Sequence, residues 1–340
     1  MNTQRDNKEM EKKDDVSLDH SGRDFFRILV LRGGPSAERE VSLAGGGCVA
    51  AALRREGHEV VEADIHPGDL TALDTAVSGP YEMVFPVLHG TFGEDGQLQE
   101  ILEARGIRFV GSGSASSRLA MNKFEAKNAF EQAGLRVARD VLVEKAELKV
   151  CCTEMKQKLL EEVAEAITYP CVIKPNEQGS SVGVSLIEDK QQLVPAIQEG
   201  VERYGDCLVE EYIQGREFTV GVVGPQVLPV LEVRPAEGFY DYQAKYQAND
   251  TKYVFDLDLE EGLLKQMQEM GQKAFEALGC RDLGRVDLIL SEKSEPYVLE
   301  VNTIPGFTDH SLVPKAAGRI GLTMEKLCDQ IVRIAWSRPI

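Results

Sequence analysis

Two apolar runs near the end of the chain, Gly284–Leu290 (GRVDLIL) and Tyr297–Asn302 (YVLEVN), are joined by only six residues, Ser291–Pro296 (SEKSEP). Branched residues bounded by turn formers read as strands. A link this short closes an antiparallel hairpin, because a parallel pair needs a crossover of roughly a dozen residues or more. A symmetric register sets Asp287 opposite Glu300 and Arg285 opposite Asn302. Residues two apart on a strand share a face, so all four side chains point one way. Carboxylates directly opposite each other repel. A divalent cation relieves that repulsion, and magnesium takes a few carboxylates with phosphate oxygens and water; an amide oxygen such as that of Asn302 also suits it. An edge hairpin with solvated charges fits the same residues. Against it, the acids interrupt runs that are otherwise apolar enough to be buried.

A second hairpin is written in Tyr169–Asp189 (YPCVIKPNEQGSSVGVSLIED). Its flanks read as strands, its tip is glycine and serine, and Lys174 closes the first strand. A P-loop puts its lysine after the glycines, where a helix opens, so this is a different device. Glycine lets backbone approach a ligand closely, and an ammonium is a point charge suited to phosphate. An ordinary exposed hairpin with a snorkelling lysine remains an alternative for these residues alone. Glu210 and Glu217 flank a possible purine and ribose pocket, since carboxylates accept from ribose hydroxyls; each is equally readable as a surface charge. The loop Thr303–Leu312 (TIPGFTDHSL) follows the acidic hairpin directly, and backbone N–H groups around Gly306 and Ser311 can face an anion.

The rest of the chain supplies the frame. Residues 1–24 are polar and charge-rich and read as a disordered tail. From Phe25 to Ser114 the pattern alternates strand, helix and strand: FFRILVLRGG, VSLAGGGCVAAALRREG, HEVVEADI, YEMVFPVLHG and GQLQEILEARG. That alternation predicts a parallel sheet with ligands at the carboxyl ends of its strands, where LHGTFGEDG lies. SSRLAMNKFEAKNAFEQAG reads as one helix, DKQQLVPAIQEGV as an amphipathic stretch, and CLVEEYIQG as a strand. Beyond Gly215 strands dominate, with REFTVGVVG and QVLPVLEV before the helix LEEGLLKQMQEMGQKAFEALG. The expected segments are 25–114, 115–213 and 214–340. A net charge of −18 argues against nucleic acid or an anionic membrane as main partner. No apolar run spans a bilayer and no signal-peptide core opens the chain. The seven cysteines are scattered without C-x-x-C spacing, which predicts reduced thiols and a cytoplasmic protein.

Lysine, flexible tip, acidic strand ends and metal hairpin together describe a nucleotide site, and their order resembles the ATP-grasp fold. The surrounding text is similar to the D-alanine–D-alanine ligase family from Phe25 to the C-terminus. The likeness rests on GGPSAEREVS, LHGTFGEDGQLQ, MNK, IKPNEQGSSVGVS, VEEYIQGREFTV, FYDYQAKY, GRVDLIL and LEVNTIPGFTDHSLVPKAA. It implies an α/β chain, α+β in part, with an ATP-grasp fold preceded by a Rossmann-like parallel-sheet domain. The glycine-serine hairpin then becomes a lid over ATP phosphates.

The implied reaction has two steps and serves peptidoglycan precursor synthesis. One D-alanine carboxylate is phosphorylated by ATP, and the amine of a second D-alanine then displaces phosphate. By motif position, Lys123, Lys174 and Lys245 would contact phosphates. Ser181, Glu210, Glu211, Ile213 and Glu217 would complete the nucleotide contacts. Asp287, Glu300 and Asn302 would hold two magnesium ions, with manganese a possible substitute. Arg285 and the Gly306 N–H would stabilise the oxyanion. Glu38 would take the first ammonium group, with His89 in the substrate pocket. Ser311 and Leu312 would take the second carboxylate, and Ser180 and Tyr246 would bond across the closed lid. A homodimer is also implied. A D-alanine–D-lactate ligase, another ATP-grasp ligase or a non-catalytic nucleotide-binding paralogue are the rivals. Pro35, Phe307 and Asp309 depart from the family pattern, Asp309 by adding a negative charge near the second subsite.

Overall fold

The computed structural model describes residues 24–150, 153–234 and 251–339. The first part alternates as expected: β1 (Arg27–Gly33), α1 (Arg39–Arg55), β2 (Glu59–Ile65), α2 (Thr71–Ser78), β3 (Met83–Pro86) and α3 (Gln97–Ala104). The strands pair in parallel in the order β2-β1-β3. Ile28–Leu31 of the central strand are fully buried, as a strand covered on both faces requires.

The stretch that reads as one helix is two, α4 (Ser114–Met121) and α5 (Lys123–Gln132). Asn122 leaves the helical region, at φ −80° and ψ 99°, and its side chain accepts the Glu125 N–H at 3.0 Å. An asparagine cap competes well with helix continuation, while the apolar spacing on either side carries on as if unbroken. The break sets Lys123 at the first turn of α5. Its N–H donates to the Asn176 carbonyl at 3.1 Å, and the Phe124 N–H donates to Asn176 Oδ1 at 2.9 Å. The helix start is thereby tied to the root of the glycine-serine tip.

Next come β4 (Asp140–Val143), α6 (Lys145–Val150), α7 (Thr153–Ala166), β5 (Cys171–Pro175), β6 (Ser185–Ile187), α8 (Lys190–Tyr204) and β7 (Cys207–Glu211). They form a four-stranded antiparallel sheet, β4-β7-β5-β6, packed on its helices through Leu160, Ile173, Leu193 and Ile197. The predicted hairpin is β5–β6, with Ile173 opposite Ser185.

The largest sheet, also antiparallel, contains β8 (Gly215–Val223), β9 (Gln226–Val227), β10 (Leu231–Arg234) and β11 (Lys252–Val254). After α9 (Glu261–Ala277) it adds β12 (Leu283–Ser291) and β13 (Pro296–Asn302). Its order is β11-β10-β8-β12-β13, with β9 beside β8. QVLPVLEV, read as one strand, divides at Pro229, which has no N–H for a ladder.

The last helices, α10 (Leu312–Arg319) and α11 (Met324–Ser337), return to the first sheet. One core cluster joins Phe26, Ile28, Val49 and Leu53 to Leu327, Ile331 and Val332. Among the described residues Cys48, Cys171, Cys207, Cys280 and Cys328 are free thiols. No described helix is long and apolar enough to cross a membrane.

Candidate active site

A cavity of about 760 Å³ opens between the three layers. Every residue given a site role from the sequence that falls within the described part lines it: Glu38, His89, Lys123, Lys174, Ser180, Ser181, Glu210, Glu211, Ile213, Glu217, Arg285, Asp287, Glu300, Asn302, Gly306, Ser311 and Leu312. Lys245 and Tyr246 lie outside the described residues.

The acidic hairpin has the predicted register, with Asp287 opposite Glu300 and Arg285 opposite Asn302. A bulge follows at once, so that Leu288 pairs with Val298. Arg285 donates from Nε and Nη2 to the two Asp287 oxygens at 2.7 and 2.6 Å. Lys123 Nζ stands 3.6 Å from Glu300 Oε2. Two protein cations thus hold the facing carboxylates. Among the described residues no group of three or more His, Cys, Asp or Glu side chains forms a ready-made metal centre. Two carboxylates and an amide oxygen on one face do fit magnesium, provided that phosphate oxygens and water complete its shell.

On the opposite wall Lys174 pairs with Glu210, and Lys127 Nζ lies 3.4 Å from the other Glu210 oxygen. Burial pushes the Glu210 carboxyl up, but the two ammonium groups outweigh it and hold the carboxyl below its usual range. Glu211 turns to Arg139, at 3.2 Å. The tip crosses the cavity. Ser180 and Ser181 both have positive φ, 52° and 58°, an uncommon pair for residues with a side chain and a mark of functional loops. Ser180 Oγ donates to Glu38 Oε1 at 2.6 Å, which joins tip and α1. Lys123 Nζ donates to the Gln178 carbonyl at 2.6 Å.

Glu38 immediately precedes α1 and is buried. Two groups keep it company. His89 is buried, and the loss of solvent lowers its pKa, against the pull of Glu38. Glu94 was not singled out from the sequence. Burial and then the Glu38 charge push its carboxyl up to about 8, while the Gly90 N–H donates to it at 2.6 Å. Its only sequence signal is a carboxylate set among the glycines of LHGTFGEDG. Lys315 also lines the cavity unforeseen, with its ammonium 5.5 Å from the Tyr253 ring centroid.

At the far end Ser311 immediately precedes α10, and its Oγ turns away from the helix to accept the Thr308 N–H at 2.9 Å. A Cβ at Gly306 would fall 2.7 Å from that Oγ, so a larger residue would push the hydroxyl from its place. Of the three departures from the family pattern, Pro35 and Asp309 are exposed, whereas Phe307 is fully buried and meets Phe85 edge-on at 5.6 Å.

Comparison with known proteins points the same way. The model described as D-ala D-ala ligase C-terminus matches residues 129–333, and that described as D-ala D-ala ligase N-terminus matches 68–112. A D-alanine–D-alanine ligase from Anaeromyxobacter sp. (strain K) is 40% identical over 307 residues, covering 90% of this chain and 96% of that one. Its counterpart from Chromohalobacter salexigens is 38% identical over 314 residues, covering 92% and 96%. Among solved structures, the VanG D-Ala:D-Ser ligase from Enterococcus faecalis superposes with a TM-score of 0.79 at 30% identity, covering 91% and 99%. The Bacillus anthracis D-alanine–D-alanine ligase complexed with ATP gives 0.75 at 29%, covering 92% and 97%. With likeness at this level over nearly the whole length of each relative, the chain belongs to the D-alanine–D-alanine ligase family.

Proposed function

We propose that this chain joins two D-alanine molecules into D-alanyl-D-alanine, with ATP activating the first, to make a peptidoglycan precursor in the cytoplasm. The observation that carries the reading is the meeting of Lys123, Lys174, the Asp287–Glu300 pair and the Ser180–Glu38 bridge in one cavity. The ATP complex of the Bacillus anthracis relative supports ATP as the phosphoryl donor. A carboxylate is inert to an amine until one of its oxygens becomes a good leaving group, which is why a donor is needed.

Glu38, oriented by Ser180, would receive the first ammonium group. With His89 neutral through burial and Glu94 protonated at neutral pH, neither adds a charge there. Lys123 and Lys174 would hold phosphates, and Glu210 and Glu217 the base and ribose, with Ser181, Glu211 and Ile213 around them. Asp287, Glu300 and Asn302 would hold magnesium, or manganese in its place, which supplies charge neutralisation during phosphoryl transfer. Arg285 and the Gly306 N–H would stabilise the oxyanion. Ser311 and Leu312 would receive the second carboxylate. Lys245 would add a phosphate contact, and Tyr246 a bond to Ser180 when the lid closes. The three segments 25–114, 115–213 and 214–340 would each supply one wall, and family likeness supports a homodimer.

Phosphate release from ATP and magnesium should depend on added D-alanine, with D-alanyl-D-alanine as the product seen by mass spectrometry. Release without D-alanine, or mainly D-alanyl-D-lactate from equal D-alanine and D-lactate at pH 7, would overturn the proposal. Asp287→Asn should keep the fold and lose roughly a hundredfold in turnover, corresponding to ~3 kcal/mol. Near-normal turnover of that variant at limiting magnesium would remove the metal assignment.

A further inference from the structure

Behind the wall that carries Glu210 sits a lysine with no part in the mechanism above. In the ladder between β4 and β7, Asp140 lies directly opposite Glu210. Facing carboxylates repel unless a cation separates them. Lys127 of α5 supplies that cation. Its Nζ lies 2.5 Å from Asp140 Oδ2 and 3.4 Å from Glu210 Oε1, and the residue is 4% exposed. Glu210 therefore meets three charged groups: Lys127 from α5, Lys174 from β5 and Asp140 from β4.

Two lysines on one carboxylate are redundant until one is drawn away. Lys174 lines the cavity, and phosphates would compete for its ammonium. Lys127, buried and anchored to Asp140, is not free to follow. An ionised carboxylate only accepts hydrogen bonds, whereas a protonated one also donates. The first suits the exocyclic amine of adenine, and the second suits the carbonyl of a 6-oxo purine. We infer that Lys127 is a positioning residue that holds Glu210 as an ionised acceptor when nucleotide occupies Lys174, and so sets the preference for adenine. The lowered pKa of Glu210 agrees, since Lys127 is one of its two causes acting against burial. The inference rests on reading Glu210 as the residue that meets the base.

Binding of ATP and of ITP, measured by calorimetry with magnesium at pH 6, 7 and 8, tests it. The unmodified protein should prefer ATP by a ratio that stays level across this range. In Lys127→Met the Glu210 carboxyl would titrate higher, so ATP affinity should fall as pH falls, by up to about tenfold per unit. The ATP-to-ITP ratio should shrink with it, and Lys127→Arg should restore both. In a Glu210→Gln background Lys127→Met should add nothing to the loss of preference. A folded Lys127→Met with the original ratio at every pH, or additive losses in the double variant, would overturn the inference. If Lys127→Met does not fold, the unmodified protein decides. A preference that titrates between pH 6 and 8 would show that Glu210 is not held ionised. No preference for ATP over ITP at any pH would remove the assignment of Glu210 itself, and this inference with it.

Discussion

Glu94 is a carboxylate that the fold keeps as an acid. Its pKa rises from an ordinary 4.5 to about 8, because burial and then Glu38 disfavour the charged form. A group raised on folding contributes stability that is complete below the unfolded value and is lost as pH climbs through the folded one. Stability should therefore fall between about pH 4.5 and 8, with a slope of up to about 1.4 kcal/mol per unit from this group alone. Glu94→Gln, a neutral mimic, should flatten that slope in denaturant unfolding measured from pH 5 to 9. An unchanged slope would mean that the carboxyl is ionised in the folded protein. The sequence displays Glu94 among glycines but not its neutrality, which depends on Glu38, more than fifty residues earlier, and on enclosure by other segments. That Lys174 and Asp287 would meet in one cavity was legible from residue type and order; the character that burial gives a residue such as Glu94 was not.

Among the elements, the two hairpins were the most readable. In β12–β13 a short link and two apolar strands leave one register that keeps the acids together, and Asp287 does face Glu300. The bulge after Asp287 has no sequence mark, and the break at Asn122 has only a short one, an asparagine with Glu125 three residues on, which the helical spacing on both sides masks. That break matters, because it aims the first turn of α5 at the tip. Asn122→Ala should cost about 1 kcal/mol through loss of the cap. It should also raise the KM for ATP by loosening Lys123, a change that steady-state kinetics would reveal; a stability loss with an unaltered KM would separate cap from site. The tip, Asn176–Val182, is rooted on α5 through Asn176 and through Glu177, which accepts from Asn122 Nδ2 at 3.1 Å, and further along Ser180 reaches Glu38 and Lys123 reaches the Gln178 carbonyl. Its amide exchange should slow when ATP and D-alanine are added together, as expected of a segment that closes over substrate. Equal exchange with and without ligands would remove the lid.

At the scale of the molecule, strand and helix order gave the layers, but the return of the last helices to the first sheet was not written locally. Nothing in the α11 sequence names its partner; complementary apolar faces decide it. Polar contacts then line the junction: Arg55 pairs with Glu325 at 2.5 Å, Lys326 with Glu56 at 2.7 Å, and His58, whose Nδ1 accepts the Phe26 N–H, sets Nε2 3.0 Å from Asp329. Beyond α11, Arg338 pairs at 2.9 Å with buried Asp282, which also accepts the Gly111 N–H at 2.7 Å. Asp282→Ala would leave the Gly111 N–H without its acceptor and the half-buried Arg338 guanidinium without its carboxylate, still on the Phe109 carbonyl at 2.8 Å, at a cost of about 3 kcal/mol. A thermal midpoint several degrees lower should report it, and an unchanged midpoint would show that the contact is dispensable. The ion pair between Arg55 and Glu325 spans 270 positions. During synthesis at about 5–20 residues per second, α1 would thus wait many seconds for the helix that covers it. A nascent chain would spend that time with Val49 and Leu53 uncovered, in need of a chaperone's shelter, and a transcript cut short upstream of α11 would yield a polypeptide marked for proteolysis.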